Sequence, residues 1–180
     1  MILAISVTGQ DRSGIIASIT EAIFRAGGNL EDISMTILEG EFSMILLVKP
    51  GAKAALKKIK QHLEIVEKKF HLSISIKEIA RELKRGEKHE KGTTPYMISV
   101  FGKDRAGIVY SVSKLLAEMR VNITDLNSKI TGFGKKAVYA LILEADVKKS
   151  LVWKLKKRLS KLRAKLKVEI AVNPIEPAQF

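Results

Sequence analysis

The segment Gly9-Gln10-Asp11-Arg12-Ser13-Gly14-Ile15 returns 93 residues later as Gly102-Lys103-Asp104-Arg105-Ala106-Gly107-Ile108. The flanking sequence keeps the same offset, since Ile5-Ser6-Val7 maps onto Ile98-Ser99-Val100 and Asn29 maps onto Asn122. A motif that recurred by chance would not carry its flanks with it. We therefore interpret the chain as two copies of one small domain, which is a tandem pair and not a solenoid of many short units.

Each copy has the pattern strand, helix, strand, strand, helix, strand. In the first copy, apolar residues recur at helical spacing from Ile15 to Ala26, and Gly27-Gly28 end the helix. Glu39-Gly40-Glu41 is typical of a hairpin turn between two strands. The pattern predicts an α+β protein of two ferredoxin-like (βαββαβ) units, each an antiparallel sheet with both helices on one face.

Domain boundaries follow from the repeat and from a charged, glycine-containing stretch between the copies. The predicted ranges are 1–79 for the first domain, 80–94 for an exposed linker, 95–173 for the second domain and 174–180 for a tail. In the second copy the predicted elements are strands 96–101, 122–130, 137–143 and 166–172 and helices 107–120 and 147–165.

Composition excludes several classes of protein. The chain has no cysteine, so disulfides, thiolate metal sites and thiol nucleophiles are absent. Its N-terminus lacks a positively charged leader, and no apolar run approaches the roughly 20 residues of a membrane span. We expect a soluble, cytoplasmic protein with no membrane association.

The repeated G-x-D-R-x-G-I turn before the first helix, with an asparagine at the start of the second strand, resembles tandem ACT-domain proteins of the glycine cleavage system transcriptional repressor kind. Ser13 and Ala106 stand where such proteins commonly have proline, a small departure because proline there mainly presets the helix start. The resemblance implies a non-enzymatic regulator that forms a homo-oligomer, most simply a dimer. It also implies a small amino acid as ligand, bound between domains, and a transcription regulator as partner.

The turn has chemistry that suits a free amino acid, which carries a carboxylate beside an ammonium group. Backbone N–H groups at a helix start favour a carboxylate, Asp11 and Asp104 could accept from the ammonium, and an asparagine amide offers a donor and an acceptor. The predicted ligand-binding residues are Gly9, Asp11, Arg12, Gly14, Ile15 and Asn29 in the first copy and Gly102, Asp104, Arg105, Gly107, Ile108 and Asn122 in the second. We predict no catalytic residue, metal or cofactor.

Each of these residues also has a purely structural interpretation. Asp11 could cap the helix through the Gly14 N–H, and Asn29 could occupy the left-handed position after Gly27-Gly28. Arg12 and Arg105 could form local salt bridges instead of contacting a ligand or another subunit.

The net charge of +13 is concentrated late in the chain, where ten bases and no acid lie between Lys148 and Lys167. On a helical wheel the leucines of this segment form one arc, and Trp153 falls among the bases on the opposite side. Trp153, Lys157 and Lys161 are the predicted partner interface. The alternatives are a lysine-rich thermophile surface, a helix assigned out of phase, or Trp153 lying over lysine stems.

Two other functional classes are disfavoured. Thr131-Gly132-Phe133-Gly134-Lys135-Lys136 only weakly resembles an RNA-recognition motif and lacks its second aromatic residue, so direct nucleic-acid binding is a minor alternative. His62, His71 and His89 have no counterparts in the second copy and show no metal-ligand spacing, which argues against an enzyme. A structural dimerisation module without a ligand is the main alternative to an amino-acid sensor.

Overall fold

A computed structural model describes residues 1–80, 89–132 and 137–175, without the side chain of Lys53. The chain divides into two compact units, Met1–Leu83 and Lys84–Phe180. The first unit contains β1 (Ile2–Gln10), α1 (Ile15–Arg25), β2 (Gly28–Leu38), β3 (Glu41–Pro50), α2 (Lys53–Phe70) and β4 (Ser73–Ile79). The second contains β5 (Thr94–Gly102), α3 (Ile108–Glu118), β6 (Asn122–Thr131), β7 (Val138–Val147), α4 (Val152–Leu166) and β8 (Glu169–Pro174).

Each unit forms a four-stranded antiparallel sheet, with the order β2-β3-β1-β4 in the first and β6-β7-β5-β8 in the second. Alternate residues of the central strand β1 point toward the helices, because side chains of a strand alternate between its two faces. Ile5 of β1, Ile19 of α1 and Ile59 of α2 are fully buried in one cluster. Both helices therefore cover the same face of the sheet, and the predicted α+β fold of two βαββαβ units is confirmed.

The hairpin between β2 and β3 turns through Glu39 and Gly40, which both have positive φ, at 50° and 86°. Two successive residues with positive φ match the twist of antiparallel strands and make a two-residue hairpin turn. This confirms the turn predicted at Glu39-Gly40-Glu41. Four residues of the corresponding motif Thr131–Lys136 in the second copy, 133–136, lie outside the described residues.

The second helix of the second copy starts later than predicted. Val147 is fully buried as the last residue of β7, and a short 3₁₀ turn, Lys149–Leu151, precedes α4. Helical periodicity misplaced this start because Glu144 and Asp146 interrupt the apolar pattern of β7 and make the strand look shorter than it is. The predicted phase of the helix is correct, since Leu155 and Leu159 are buried.

One ion pair connects the two helices of the second unit. Arg158 of α4 donates a hydrogen bond to Glu118 of α3. This hydrogen bond lowers the pKa of Glu118, and the charges of Arg158 and Lys114 lower it further against the opposing effect of desolvation. A carboxyl group with a lowered pKa stabilises the folded state above its usual pKa, and this contribution is lost as the pH falls through the lowered value.

Gly9 and Gly102, both predicted to bind ligand, have a packing role near the end of the central strand. A Cβ atom on Gly9 would lie 2.8 Å from Leu72 Cδ2 and 3.3 Å from Leu72 Cα. A Cβ atom on Gly102 would lie 2.8 Å from Val168 Cγ1 and 3.3 Å from Val168 Cα. In both copies, the residue just before the last strand lies so close to the central strand that no side chain fits at the position of Gly9 or Gly102.

We expect Gly9→Ala to destabilise the first unit by about 1–3 kcal/mol, because the backbone of Leu72 has to move to admit the methyl group. Urea unfolding would measure the loss. Ser13→Ala is the matched control, since Ser13 is exposed and alanine already occupies the equivalent position 106. An unchanged unfolding midpoint for Gly9→Ala would show that this contact does not constrain the fold.

Candidate functional site

The repeated turn has the same backbone geometry in both copies. Gly14 and Gly107 each stand immediately before a helix. The backbone of both glycines is in the left-handed region, with φ of 93° and 91°. Within the described chain, no side chain caps the start of α1 or α3, so the interpretation of Asp11 as a helix cap is wrong. The first N–H groups of each helix are left with only solvent or a ligand as acceptor.

Other contacts hold the turn in place. Ile15 and Ile108 are only 1% and 2% exposed, so their side chains anchor the helix start in the core. Their backbone N–H groups are the parts that can reach a ligand. The backbone N–H of Asp11 donates to Gly40 O at 2.9 Å and ties the turn to the β2–β3 hairpin. The side chains of Asp11 and Asp104 are exposed.

The two arginines of the turns differ in their surroundings. Arg12 Nη2 donates to Gln10 Oε1 at 3.1 Å, which is a hydrogen bond and not the local salt bridge considered from the sequence. The second copy has Lys103 in place of Gln10, and a lysine cannot accept such a bond. Arg105 is exposed and makes no hydrogen bond or ion pair with the described residues.

Asn29 and Asn122 lie in the first residues of β2 and β6 and are exposed. Asn29 is part of strand β2 and does not have a positive φ, so the alternative that it occupies a left-handed position after Gly27-Gly28 is wrong. Asn29 Nδ2 donates to Glu31 Oε1 at 3.0 Å. The strand pairing shifts register just after each asparagine, at Leu30/Asp32 in β2 and Ile123/Asp125 in β6. Such bulges re-aim side chains and often occur beside functional sites.

Within one unit, the turn and the asparagine lie at opposite ends of the sheet. Gly9 pairs with Phe42, which pairs with Ile37, and Asn29 is eight residues before Ile37 in β2. Eight residues of strand extend for about 25 Å. The register places Gly102 and Asn122 at the same separation. One amino acid is much shorter than this distance, so a single unit does not bring the turn and the asparagine together.

The two asparagines face different partners across the sheet. Asn29 lies opposite Lys49, whereas Asn122 lies opposite Asp146. Directly opposed residues share one face of the sheet, so their side chains are neighbours. The two copies therefore present opposite charges beside equivalent asparagines.

Asp146 is 3% exposed, and residues just before β5 cover it. Its Oδ1 lies 2.7 Å from His89 Nδ1, and its Oδ2 accepts from the Glu90 backbone N–H at 2.8 Å. Two residues of the stretch predicted as an exposed linker, His89 and Glu90, are thus bonded to Asp146 of β7. The sequence did not single out Asp146, because a carboxylate near a strand end is ordinarily solvated. Only the returning segment shows that it is buried.

We expect Asp146→Ala to destabilise the second unit by about 1–3 kcal/mol, since Glu90 N–H and His89 lose a buried acceptor. Hydrogen exchange at the Glu90 amide would accelerate along with the loss of stability. Asp125→Ala is the control, because that exposed carboxylate bonds only to Leu126 N and Asn127 within the described residues. Unchanged exchange at Glu90 in Asp146→Ala would contradict the proposed tether.

The basic helix α4 has the surface predicted for it. Trp153 is 72% exposed, which agrees with its predicted place opposite the leucine arc. Lys157 Nζ lies 4.7 Å from the centre of the Trp153 ring, so the alternative of a tryptophan packed with a lysine holds as well. Lys161 is exposed one turn further along the helix.

The described residues contain no cluster of three or more His, Cys, Asp or Glu side chains that could hold a metal ion. None of the helices in this part of the chain has the length and apolar character needed to cross a membrane.

Comparison with known proteins identifies the repeats. A family model described as ACT domain matches residues 1–77 and 94–173. A UPF0237 protein of Methanocaldococcus jannaschii is 41% identical over 63 residues, which cover 34% of this chain and 70% of that protein. A UPF0237 protein of Corynebacterium diphtheriae is 39% identical over 77 residues, which cover 42% of this chain and 86% of that protein. Each alignment has about the length of one repeat.

The solved structures similar to this chain include two that cover nearly all of it. An unknown protein from Galdieria sulphuraria has a TM-score of 0.77 at 23% identity, covering 97% of this chain and 98% of that one. A candidate glycine cleavage system transcriptional repressor has a TM-score of 0.70 at 19% identity, covering 98% of both chains. At these identities the likeness establishes the fold and nothing further.

Proposed function

The chain belongs to the ACT-domain family, as a tandem pair related to the UPF0237 proteins, and we propose that it is a non-enzymatic regulator that binds a small amino acid at its two Gly-Asp-Arg turns. ACT domains typically bind small ligands. The proposal adds to the family assignment a ligand class, a site and a regulatory role.

The observation that carries the proposal is the uncapped helix start beside an exposed carboxylate, present in both copies. The N–H groups after Gly14 and Gly107 favour the carboxylate of an amino acid, and the helix dipole adds to this preference. Asp11 and Asp104 lie three residues before Gly14 and Gly107 and can accept from the ammonium. Arg12 and Arg105 are the further polar groups of the proposed sites. Gly9 and Gly102 shape the turn through packing.

Asn29 and Asn122 complete the sites only if they come from another ACT domain, because each lies about 25 Å along the sheet from the turn of its own unit. A second copy of the chain can supply the asparagine, so the proposal includes a homo-oligomer, most simply a dimer. Ligand bound by two domains stabilises the arrangement that joins them, which is how binding would become a regulatory signal.

We extend the proposal to a protein partner, a transcriptional regulator of amino-acid metabolism. The support for this step is the tandem ACT architecture that the chain shares with a candidate glycine cleavage system transcriptional repressor. The exposed Trp153 with Lys157 and Lys161 on α4 is the proposed contact surface.

A structural dimerisation module is the second candidate, and the edge strand β2 favours it. Ile33, Met35 and Ile37 of β2 are 40%, 42% and 50% exposed, and the outer edge of this strand is unpaired within the unit. An edge of this kind is a template for pairing with another chain. Under this alternative the turns would hold no ligand.

Thermal-shift measurements against the twenty amino acids distinguish the two candidates. We expect at least one amino acid to raise the unfolding temperature, because a ligand that binds only the folded state stabilises it. Combining Asp11→Ala with Asp104→Ala removes the proposed ammonium acceptors and is expected to abolish the shift. Combining Asn29→Ala with Asn122→Ala is expected to reduce it, although these residues lie far from the turns of their own units.

Glu78→Ala is the matched control, since it removes an exposed carboxylate of β4, the edge strand opposite β2. It is expected to leave the shift unchanged. If no amino acid shifts the unfolding temperature of the unmodified protein, the sensor proposal is wrong and the dimerisation module remains.

A further inference from the structure

A groove runs between α4 and the edge strand β8 of the second unit. Its lining consists of Lys156, Leu159, Ser160, Arg163, Ile170 and Val172. The floor is apolar, since Leu159 is buried and the two β8 side chains pack against the core. The rim is basic. This groove lies on the side of the sheet away from β6, where Asn122 is, and it takes no part in the proposed amino-acid sites.

In the first unit, a glutamate side chain covers the equivalent strand edge. Glu67 of α2 accepts a hydrogen bond from the Ile74 backbone N–H at 2.8 Å. This N–H therefore points away from β1, toward the outer edge of β4. The Glu67 side chain occupies the edge and prevents another strand from pairing there.

The corresponding residues of the two units can be assigned from the backbone. Leu72 N donates to Glu67 O, and Val168 N donates to Arg163 O. His71 and Lys167 both end their helices in the left-handed conformation. Ile74 pairs with Val7 and Ile170 pairs with Val100, which are equivalent positions of the central strands. Arg163 thus stands in the place of Glu67, and Ile170 in the place of Ile74.

This exchange opens the edge of β8. An arginine has no acceptor, so Arg163 cannot receive the outward N–H of Ile170 as Glu67 receives that of Ile74. Arg163 instead donates to Glu169, at 2.6 and 2.9 Å from its two carboxylate oxygens. Among the described residues, no side chain accepts from Ile170 N or Val172 N. The strand keeps an unpaired edge beside an apolar groove.

The helix residues beside the groove also differ in charge from their equivalents in the first unit. The stripe of α4 that faces this side carries Trp153, Lys156, Ser160, Arg163 and Lys167, whereas the equivalent stripe of α2 carries Lys57, Lys60, Glu64, Glu67 and His71. The opposite flank of α4 is already engaged, because Arg158 bonds to Glu118 of α3. At these positions the second unit has neither of the two acids of the first, and it carries Lys156, Arg163 and Lys167.

We infer that the α4–β8 groove binds an extended acidic peptide segment of a partner protein, which adds as a strand to the edge of β8. Main-chain hydrogen bonds to Ile170 and Val172 supply the pairing, the apolar floor accepts alternate side chains, and Lys156 and Arg163 attract the acidic ones. Pro174 has no N–H and ends the usable edge, so the added strand is about four or five residues long. Trp153 lies one turn before Lys156 and can pack on the end of the segment.

A peptide of this kind fits the groove better than a nucleic acid does. An unpaired strand edge offers N–H and C=O groups in alternation, which match another peptide backbone and not a uniformly accepting phosphate chain. The inference builds on the proposed regulatory role by giving the partner a chemistry. It is tested without any amino acid, so the two proposals can fail separately.

The test uses the full chain and a fluorescein-labelled peptide, Glu-Val-Glu-Val-Glu, measured by fluorescence anisotropy. Because glutamate and valine alternate, an extended peptide has one valine face and one glutamate face, and either can be turned toward the groove. We expect it to bind, and we expect the same peptide N-methylated at its central residues, and the peptide Lys-Val-Lys-Val-Lys, to bind at least tenfold more weakly. Amide hydrogen exchange at Ile170 is expected to slow when the acidic peptide is bound.

Arg163→Glu restores the first unit's edge cap and is expected to weaken binding by roughly tenfold or more. Lys165→Glu makes the same charge change at an exposed position of α4 outside the groove and is expected to alter affinity by less than about twofold. Ser160→Glu, which copies Glu64 at an exposed position, is the second variant should Arg163→Glu fail to fold. Thermal unfolding of each variant checks the fold.

Three outcomes would overturn the inference. One is an equal loss of affinity in Lys165→Glu and Arg163→Glu, which would show attraction to the basic helix in general. Another is unchanged affinity for the N-methylated peptide, which would exclude strand pairing. The third is tight binding of a labelled duplex DNA without binding of the acidic peptide, which would assign the surface to nucleic acid.

Discussion

The pairing of each central strand with two antiparallel neighbours is the constraint on which both units depend. β1 lies between β3 and β4, and β5 lies between β7 and β8. Because the backbone of such a strand is bonded on both sides, its alternate side chains are forced into the core, where Ile5 and Ile98 are fully buried. The Gly-Asp-Arg turn lies where each central strand ends and the chain leaves the sheet.

The same constraint explains why the turn is suited to a ligand. The start of the last strand lies so close to the end of the central strand that only glycine fits at positions 9 and 102. The next glycine adopts a left-handed conformation that starts a helix without a side-chain cap. A tight exit from a central strand thus leaves several N–H groups exposed beside an aspartate. The core residues Ile15 and Ile108 keep these groups in position.

Duplication preserved this core and changed the edges. The turns and the core positions have nearly the same geometry in both copies, whereas residues at the sheet margins have opposite character. Lys49 is replaced by Asp146 opposite the asparagine, and Glu67 is replaced by Arg163 at the last strand. Margins can diverge because they pack little, so a change of charge there costs less than a change in the core. Under the proposed function, both units keep the ligand site and the second unit also gains the partner surface.

The duplication, the βαββαβ order, the turn residues and the exposed face of α4 with Trp153 could be predicted from the sequence, because they follow from local periodicity and from a repeat at constant offset. It did not place the start of α4, where acids in β7 masked a buried strand. Three features are visible only in the folded chain. They are the distance between Asn29 and its own turn, the burial of Asp146 by its contacts with His89 and Glu90, and the unpaired edge of β8. These features depend on strand register and on contacts between residues far apart in the chain, such as Asp146 with His89, which no local pattern encodes.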